Sequence, residues 1–235
     1  MRIVALNIRH GGGRRIDAIA NAILAHEPDV VVLSEFHASQ NGSRLLEKLA
    51  EAGLADRAQG EPGSTAYPNS VAIASRLALT DARFPLVGSA NGQRVLEVDV
   101  GGLIVGAVYF PLGKPKVDFW RDEFLPYAAT RIGRPTVLVG DWNSGRHLID
   151  ETGATLDGSV EFETMTNTGW VDAWRSQHPN DHEYTWYSAF GNGFRLDHAF
   201  LSPSVAPRLV WSRYDHDTRR PGVTDHSALV VELAP

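Results

Sequence analysis

Thr136-Val137-Leu138-Val139-Gly140-Asp141-Trp142-Asn143 is a short apolar run that ends on a carboxylate and an amide. A continuous run of this length reads as a strand covered on both faces. On either side of it the same pattern recurs. Arg2–Asn7 ends on Asn7, and Val30–Ser34 runs into Glu35. Leu103–Phe110 carries Tyr109 near its end, Asp197 sits within Leu196–Leu201, and Asp225-His226 stand just before Ala228–Leu233. Val71–Ser75, Arg94–Val100 and Arg208–Arg213 complete the expected strands, and Gly101-Gly102 marks a hairpin. Arg15–His26 has apolar residues at helical spacing. Ser43–Ala52 reads as a second amphipathic helix opened by Ser43, and Val117–Ile132 as a third, broken or kinked at Pro126. Hairpins mix with βαβ-like units, which predicts an α+β sandwich of two packed sheets with helices outside.

The 235 residues carry no Cys, which excludes a disulfide scaffold, a thiolate zinc site and a cysteine nucleophile. Hydrophobic residues are 43% and charged residues 21%, a globular balance that excludes disorder and coiled coil. The formal net charge is −6, so a polyanion would have to be held by local charge or bridging cations. Of 22 cationic residues only Lys48, Lys114 and Lys116 are lysines; the others are arginines. No repeat or linker divides the chain, so a single domain over 1–235 is expected. The start lacks a signal-peptide apolar stretch, and the longest apolar run, Leu103 to Gly113, is about half of what spans a bilayer. A cytoplasmic monomer with no membrane association is the expectation.

The polar residues at strand ends share one chemistry. Glu35, Asp141, Asp197 and Asp225 are hard oxygen ligands suited to Mg²⁺ or Mn²⁺ and not to zinc. Asp197 within an apolar strand needs a partner or a cation. His226 beside Asp225 is a candidate base or phosphoryl-oxygen ligand, and Asn143 and Tyr109 can hydrogen-bond a phosphoryl oxygen without adding negative charge.

These blocks, in this order, resemble the endonuclease/exonuclease/phosphatase superfamily. The matching segments are Ala5-Leu6-Asn7, Leu33-Ser34-Glu35, Val139-Gly140-Asp141-Trp142-Asn143, Arg195 to Leu201, and Thr224-Asp225-His226-Ser227. They run from the first strand to the last. The resemblance implies a deoxyribonuclease I-like fold, a four-layer sandwich of two mixed sheets flanked by helices. Tyr109-Phe110-Pro111, Gly169 to Arg175 and Tyr184-Thr185-Trp186-Tyr187 look most like exonuclease III-type and abasic-site endonucleases. The resemblance implies that Glu35 is a metal ligand, with Asn7 and Asp225 near the same ion. It implies that Asp141 activates or orients water and Asn143 positions the phosphate or nucleophile. Asp197 would orient His226, and Tyr109 would stabilise the transition state. Asp141 and His226 both remain candidate bases. Two positions depart from the family pattern. Arg9 stands where abasic-site enzymes often carry Asp or Asn, and Leu112 where a polar residue is common.

The implied activity is divalent-metal-dependent hydrolysis of DNA phosphodiesters, exonuclease III-like or abasic-site endonuclease. A phosphatase or phosphodiesterase on small or lipid phosphates, and a catalytically dead binding module, are the alternatives. On the DNA reading, Trp186, Phe194 and Leu196 form an apolar pocket for a base-less sugar, with Arg195 in the same segment. Strand alternation puts Asp197 on the opposite face from Leu196 unless a bulge intervenes. Lys114 and Lys116 are candidate contacts to the nucleic-acid backbone. The run His10 to Arg15 is a candidate phosphate cradle built from backbone N–H groups and arginines.

Overall fold

The central strands are apolar without alternation because both their faces are covered. In the first strand Ile3 and Ala5 face one buried layer, and Val4 and Leu6 face another. The structure, a computed structural model, describes residues 1–59, 69–86 and 88–235. In chain order the elements are β1 (Arg2–Asn7), α1 (Ile16–Leu24), β2 (Val30–Phe36), α2 (Gln40–Glu51), β3 (Asp56–Gln59), β4 (Ser70–Ser75) and β5 (Thr80–Arg83). Then come β6 (Val95–Val100), β7 (Leu103–Tyr109), α3 (Lys114–Asp118), α4 (Leu125–Ala129), β8 (Thr136–Asp141), α5 (Ser159–Asn167), β9 (Val171–Asp172) and α6 (Ala173–Gln177). The last are β10 (Trp186–Tyr187), β11 (Gly193–Phe194), β12 (Asp197–Leu201), β13 (Leu209–Asp215) and β14 (Ala228–Leu233).

Two six-stranded sheets form, ordered β13-β14-β1-β2-β4-β3 and β5-β6-β7-β8-β12-β9, with β10-β11 as a separate ribbon. Each large sheet is mixed, with one parallel pair, β1/β2 or β7/β8, among antiparallel neighbours. The inner faces meet in a core of Ile3, Val32 and Ile73 against Val98, Val105 and Val139. α1 and α2 cover the outer face of the first sheet through Ile19, Ile23, Leu45 and Leu49. The chain from Phe119 to Met165 covers the second through Phe119, Trp120, Phe124 and Phe162. This is the expected deoxyribonuclease I-like α+β sandwich, in four layers.

Several boundaries differ, each for a local reason. α2 begins at Gln40, because Ser39 and not Ser43 is its cap and accepts the Gly42 N–H at 3.3 Å. The helix expected over Val117–Ile132 is two short α-helices joined by a π-helical stretch, Phe119–Phe124. That wide turn accommodates Pro126, which has no N–H for the carbonyl four residues back. β3 and β5 were not expected. They are four-residue edge strands with charged, mostly exposed residues and no apolar face to give them away. Among the described residues, no helix is long and apolar enough to cross a membrane.

Candidate active site

One topological fact gathers the polar residues. β1, β2, β7 and β8 all finish at the same end of the sandwich, where the antiparallel strands β4, β6, β12 and β14 begin. Residues that end the first group and precede or open the second must therefore converge. They line a cleft of about 1200 Å³ that includes Glu35, Asn69, Arg94, Tyr109, Asp141, Asn143, Asp225 and His226.

Local backbone geometry aims each group. Glu35 is the extra residue of a bulge between β2 and β4, with φ +54°, so its carboxylate leaves the plane of the sheet. Asn7 holds it, donating Nδ2 to Glu35 Oε1 at 3.1 Å and to Asp141 Oδ2 at 2.8 Å. One amide thus touches both carboxylates. The Arg9 N–H donates to Asn7 Oδ1 at 2.8 Å and the His10 N–H to Glu35 Oε2 at 2.7 Å. Gly11 N–H donates to the Glu35 carbonyl at 2.8 Å. The first two amides of the run from His10, expected to cradle a phosphate, are thus engaged by Glu35. Gly140 has φ +146°, and a Cβ there would lie 2.1 Å from the Val108 carbonyl oxygen. Glycine lets β8 run tight against β7 where Asp141 emerges.

Asp141 is buried, accepting the Asn143 N–H at 2.9 Å. Burial, reinforced by the Asp197 charge, raises its pKa to about 7 against the pull of His226. Asp197 Oδ2 lies 2.9 Å from His226 Nδ1. Burial opposes the imidazolium, but Asp197, with Asp141 and Asp225 nearby, outweighs it and raises the His226 pKa to about 10. His226 is therefore a cation whose Nδ1 is committed to Asp197. Tyr109 receives the Asn69 amide at 3.1 Å and stacks under Arg94 at 4.9 Å. Burial and the carboxylates of Glu35 and Asp141 push its pKa to about 12, so it is a neutral donor. Asn143 donates its amide to the Phe110 carbonyl at 2.9 Å, and the Lys116 ammonium donates to the Asn143 carbonyl.

A divalent cation fits this donor set. Glu35 and Asp225 present carboxylates to the cleft beside buried Asp141, and cationic charge there would relieve their mutual repulsion. Ligand atoms of Asp141, Asp197 and His226 also lie within 4.8 Å of one another. Within that group, His226 Nδ1 and Asp197 Oδ2 already engage each other. Asn7, expected beside the metal with Glu35 and Asp225, here turns its NH₂ and not its oxygen to the carboxylates of Glu35 and Asp141.

Of the residues expected to meet substrate, Trp186, Phe194 and Leu196 line the cleft. Trp186 pairs with Phe194 across the β10/β11 ribbon, with ring centroids 5.9 Å apart. The register difficulty resolves because the strand is interrupted: β11 ends at Phe194 and β12 starts at Asp197. Between them the Leu196 N–H donates to Thr185 Oγ1 at 3.0 Å. Arg195 is not in the cleft. It is fully buried, with Nε 2.7 Å from Asp150 Oδ1 and Nη2 2.7 Å from Asp172 Oδ2. It cannot touch substrate and instead ties the link between β11 and β12 to the segment at Asp150 and to β9 at Asp172. Lys114 is exposed and does not line the cleft; Lys116, two residues on, does. Asn69 and Arg94 escaped the sequence reading. Their signal was present: each directly precedes an antiparallel strand that starts at the cleft end.

The family model described as Endonuclease/Exonuclease/phosphatase matches residues 4–226. The chain belongs to this family. Among solved structures, an AP endonuclease from Archaeoglobus fulgidus is 21% identical, with TM-score 0.87 and 99% of each chain covered. A 3′-5′ exonuclease (NExo) from Neisseria meningitidis is 25% identical, with TM-score 0.82 and both chains fully covered. A structure titled as the 3′ phosphatase NExo bound to a product DNA hairpin is 24% identical, with TM-score 0.80 and both chains fully covered. No curated protein sequence matches the chain. The family and these neighbours are nucleases and phosphatases, which makes the chain a hydrolytic enzyme.

Proposed function

We propose that the chain is one catalytic unit, a divalent-metal-dependent phosphodiesterase that hydrolyses DNA in the manner of an exonuclease III-like or abasic-site endonuclease. The observation that carries this is the joint occurrence, in one cleft, of the Asp197–His226 pair, the Asn7-bridged carboxylates and an apolar wall. The similarity to an AP endonuclease, to a 3′-5′ exonuclease and to a 3′ phosphatase bound to a product DNA hairpin supports the substrate class.

Glu35, Asn7 and Asp225 would hold the metal, which when bound supplies charge neutralisation at the phosphoryl group. The chain's own residues supply the rest. Asp141, fixed by the Asn143 and Asn7 N–H groups, accepts a proton from the attacking water. His226 offers Nε2 to a phosphoryl oxygen, its charge secured by Asp197 at Nδ1. Tyr109 donates its hydroxyl hydrogen to the charge that develops on phosphorus. Asn143 fixes Asp141, and Lys116 fixes the Asn143 backbone.

The substrate class is tested with labelled duplexes, intact and abasic, beside an inositol phosphate and bis(nitrophenyl) phosphate. Cleavage of DNA with little action on the inositol phosphate supports the reading; the reverse preference assigns the chain to small phosphates. The apolar wall has its own test. Trp186→Ala or Phe194→Ala should lower abasic-site cleavage about tenfold or more, given that stacking of one base or sugar-sized group contributes ~1–3 kcal/mol. Turnover of bis(nitrophenyl) phosphate should fall much less. Equal losses on both substrates would mean that these aromatics only support the fold.

A further inference from the structure

Beside the cleft lies a second concavity of about 220 Å³, lined by Arg9, Arg15, Arg219 and Arg220 and by the backbone from Pro221 to Asp225. Arg9 and Asp225 line both spaces, so the groove continues the cleft. In a chain of net charge −6, four guanidinium groups gather here, and among the described residues their paired carboxylates are those of Asp217 and Asp225.

The arginines are unevenly engaged. Arg15 is pinned, donating to the carbonyls of Ile8, Arg9 and Val223. Arg9 is half-exposed and only loosely paired with Asp225, at 3.5 Å. Arg220 pairs with Asp217, and both are exposed. Arg219 lies over the Tyr187 ring at 4.8 Å, and its buried Nε has no hydrogen-bond partner among the described residues. The scaffold beneath is fixed. The short 3₁₀ turn His216–Arg219 is capped by Asp215, and buried Thr218 bonds the His226 carbonyl at 2.9 Å. A positive groove on a rigid base, with guanidinium hydrogens left over, matches the oxygens of a phosphate.

We propose that Arg9, Arg219 and Arg220 form a second phosphate subsite, which holds a phosphodiester of the same nucleic-acid strand next to the one at Asp141 and His226. This rests on the DNA reading and deepens it. The preferred substrate must then carry at least two phosphates, as an oligonucleotide does and a simple phosphomonoester does not.

The test is binding of a fluorescent abasic duplex in chelator, read by anisotropy across a salt series. Arg219→Ala/Arg220→Ala should weaken binding about tenfold or more and reduce the salt slope by about one, because the single phosphate of the subsite then loses two of its three arginines. Arg219→Lys/Arg220→Lys, which keeps the charge, should recover much of both. Arg213→Ala is the control: it is exposed over Trp211 at 4.6 Å and lines neither space. Unchanged affinity in the alanine pair overturns the proposal, and so does an equal loss in Arg213→Ala, which would indicate bulk charge alone. Because this readout uses neither metal nor turnover, it decides the subsite even if DNA hydrolysis fails. Hydrolysis with unaltered binding in the alanine pair defeats the subsite alone.

Discussion

His226→Ala and Asp141→Asn should each lower turnover of a DNA phosphodiester by about 10²–10⁴ in a protein that still folds, although His226→Ala, which leaves buried Asp197 unpaired, should also lower the melting temperature. Asp141 and His226 serve the cleft more than the core. His226 meets the fold chiefly through Asp197, and Asp141 is tied to Asn7 and Asn143 at the end of its strand. Asp197→Asn should act through His226, since a neutral amide no longer stabilises the charged ring and can present its NH₂ to Nδ1. Its loss should therefore not add to that of His226→Ala when the two are combined. Near-wild-type rates in either single variant would remove that residue from the chemistry. Single-turnover kinetics with melting curves alongside provide both readouts.

The second large effect concerns stability. Arg195→Ala should destabilise the fold by about 3–5 kcal/mol, measured by urea unfolding, because two buried carboxylates would be deprived of their main counter-charge. Asp150 is fully buried and Asp172 nearly so, and Arg195 reaches both. Burial alone would raise these carboxyls; Arg195 prevails and holds both below the usual carboxylate range. With folded values depressed, their contribution is present above the unfolded carboxyl pKa of ~4 and is lost as pH falls below it. Arg175 also bonds Asp150, so part of that carboxylate's pairing survives the substitution. A change below about 1 kcal/mol, with reduced DNA affinity, would return Arg195 to the cleft and contradict its placement.

Arg195 also shows where sequence reading reaches its limit. The segment Phe194-Arg195-Leu196-Asp197 looks like continuous strand, and strand alternation cannot say that Arg195 turns inward to a network built by Asp150 and Asp172. Those partners lie 45 and 23 residues away, and no local signal links them. By contrast, Asn7, Glu35, Asp141 and Asp225 were legible because each abuts an apolar run, and parallel or antiparallel direction carries such ends to one side. The central strands were legible for the same reason, since their apolar runs are long. β3 and β5 were not, because an exposed edge strand needs no apolar face. Lys114 against Lys116 was beyond reach from spacing alone. The choice depends on where α3 begins, and that places Lys116, not Lys114, against the Asn143 carbonyl.

The most direct test of the central claim is cleavage of a labelled abasic duplex by the metal-stripped protein, with and without added Mg²⁺. The clustered carboxylates of Glu35, Asp141 and Asp225 predict no detectable product in chelator, and restored cleavage on adding Mg²⁺ or Mn²⁺. Glu35→Gln should then need more metal for the same rate. Full turnover in excess chelator, by protein shown to hold no metal, would contradict the account.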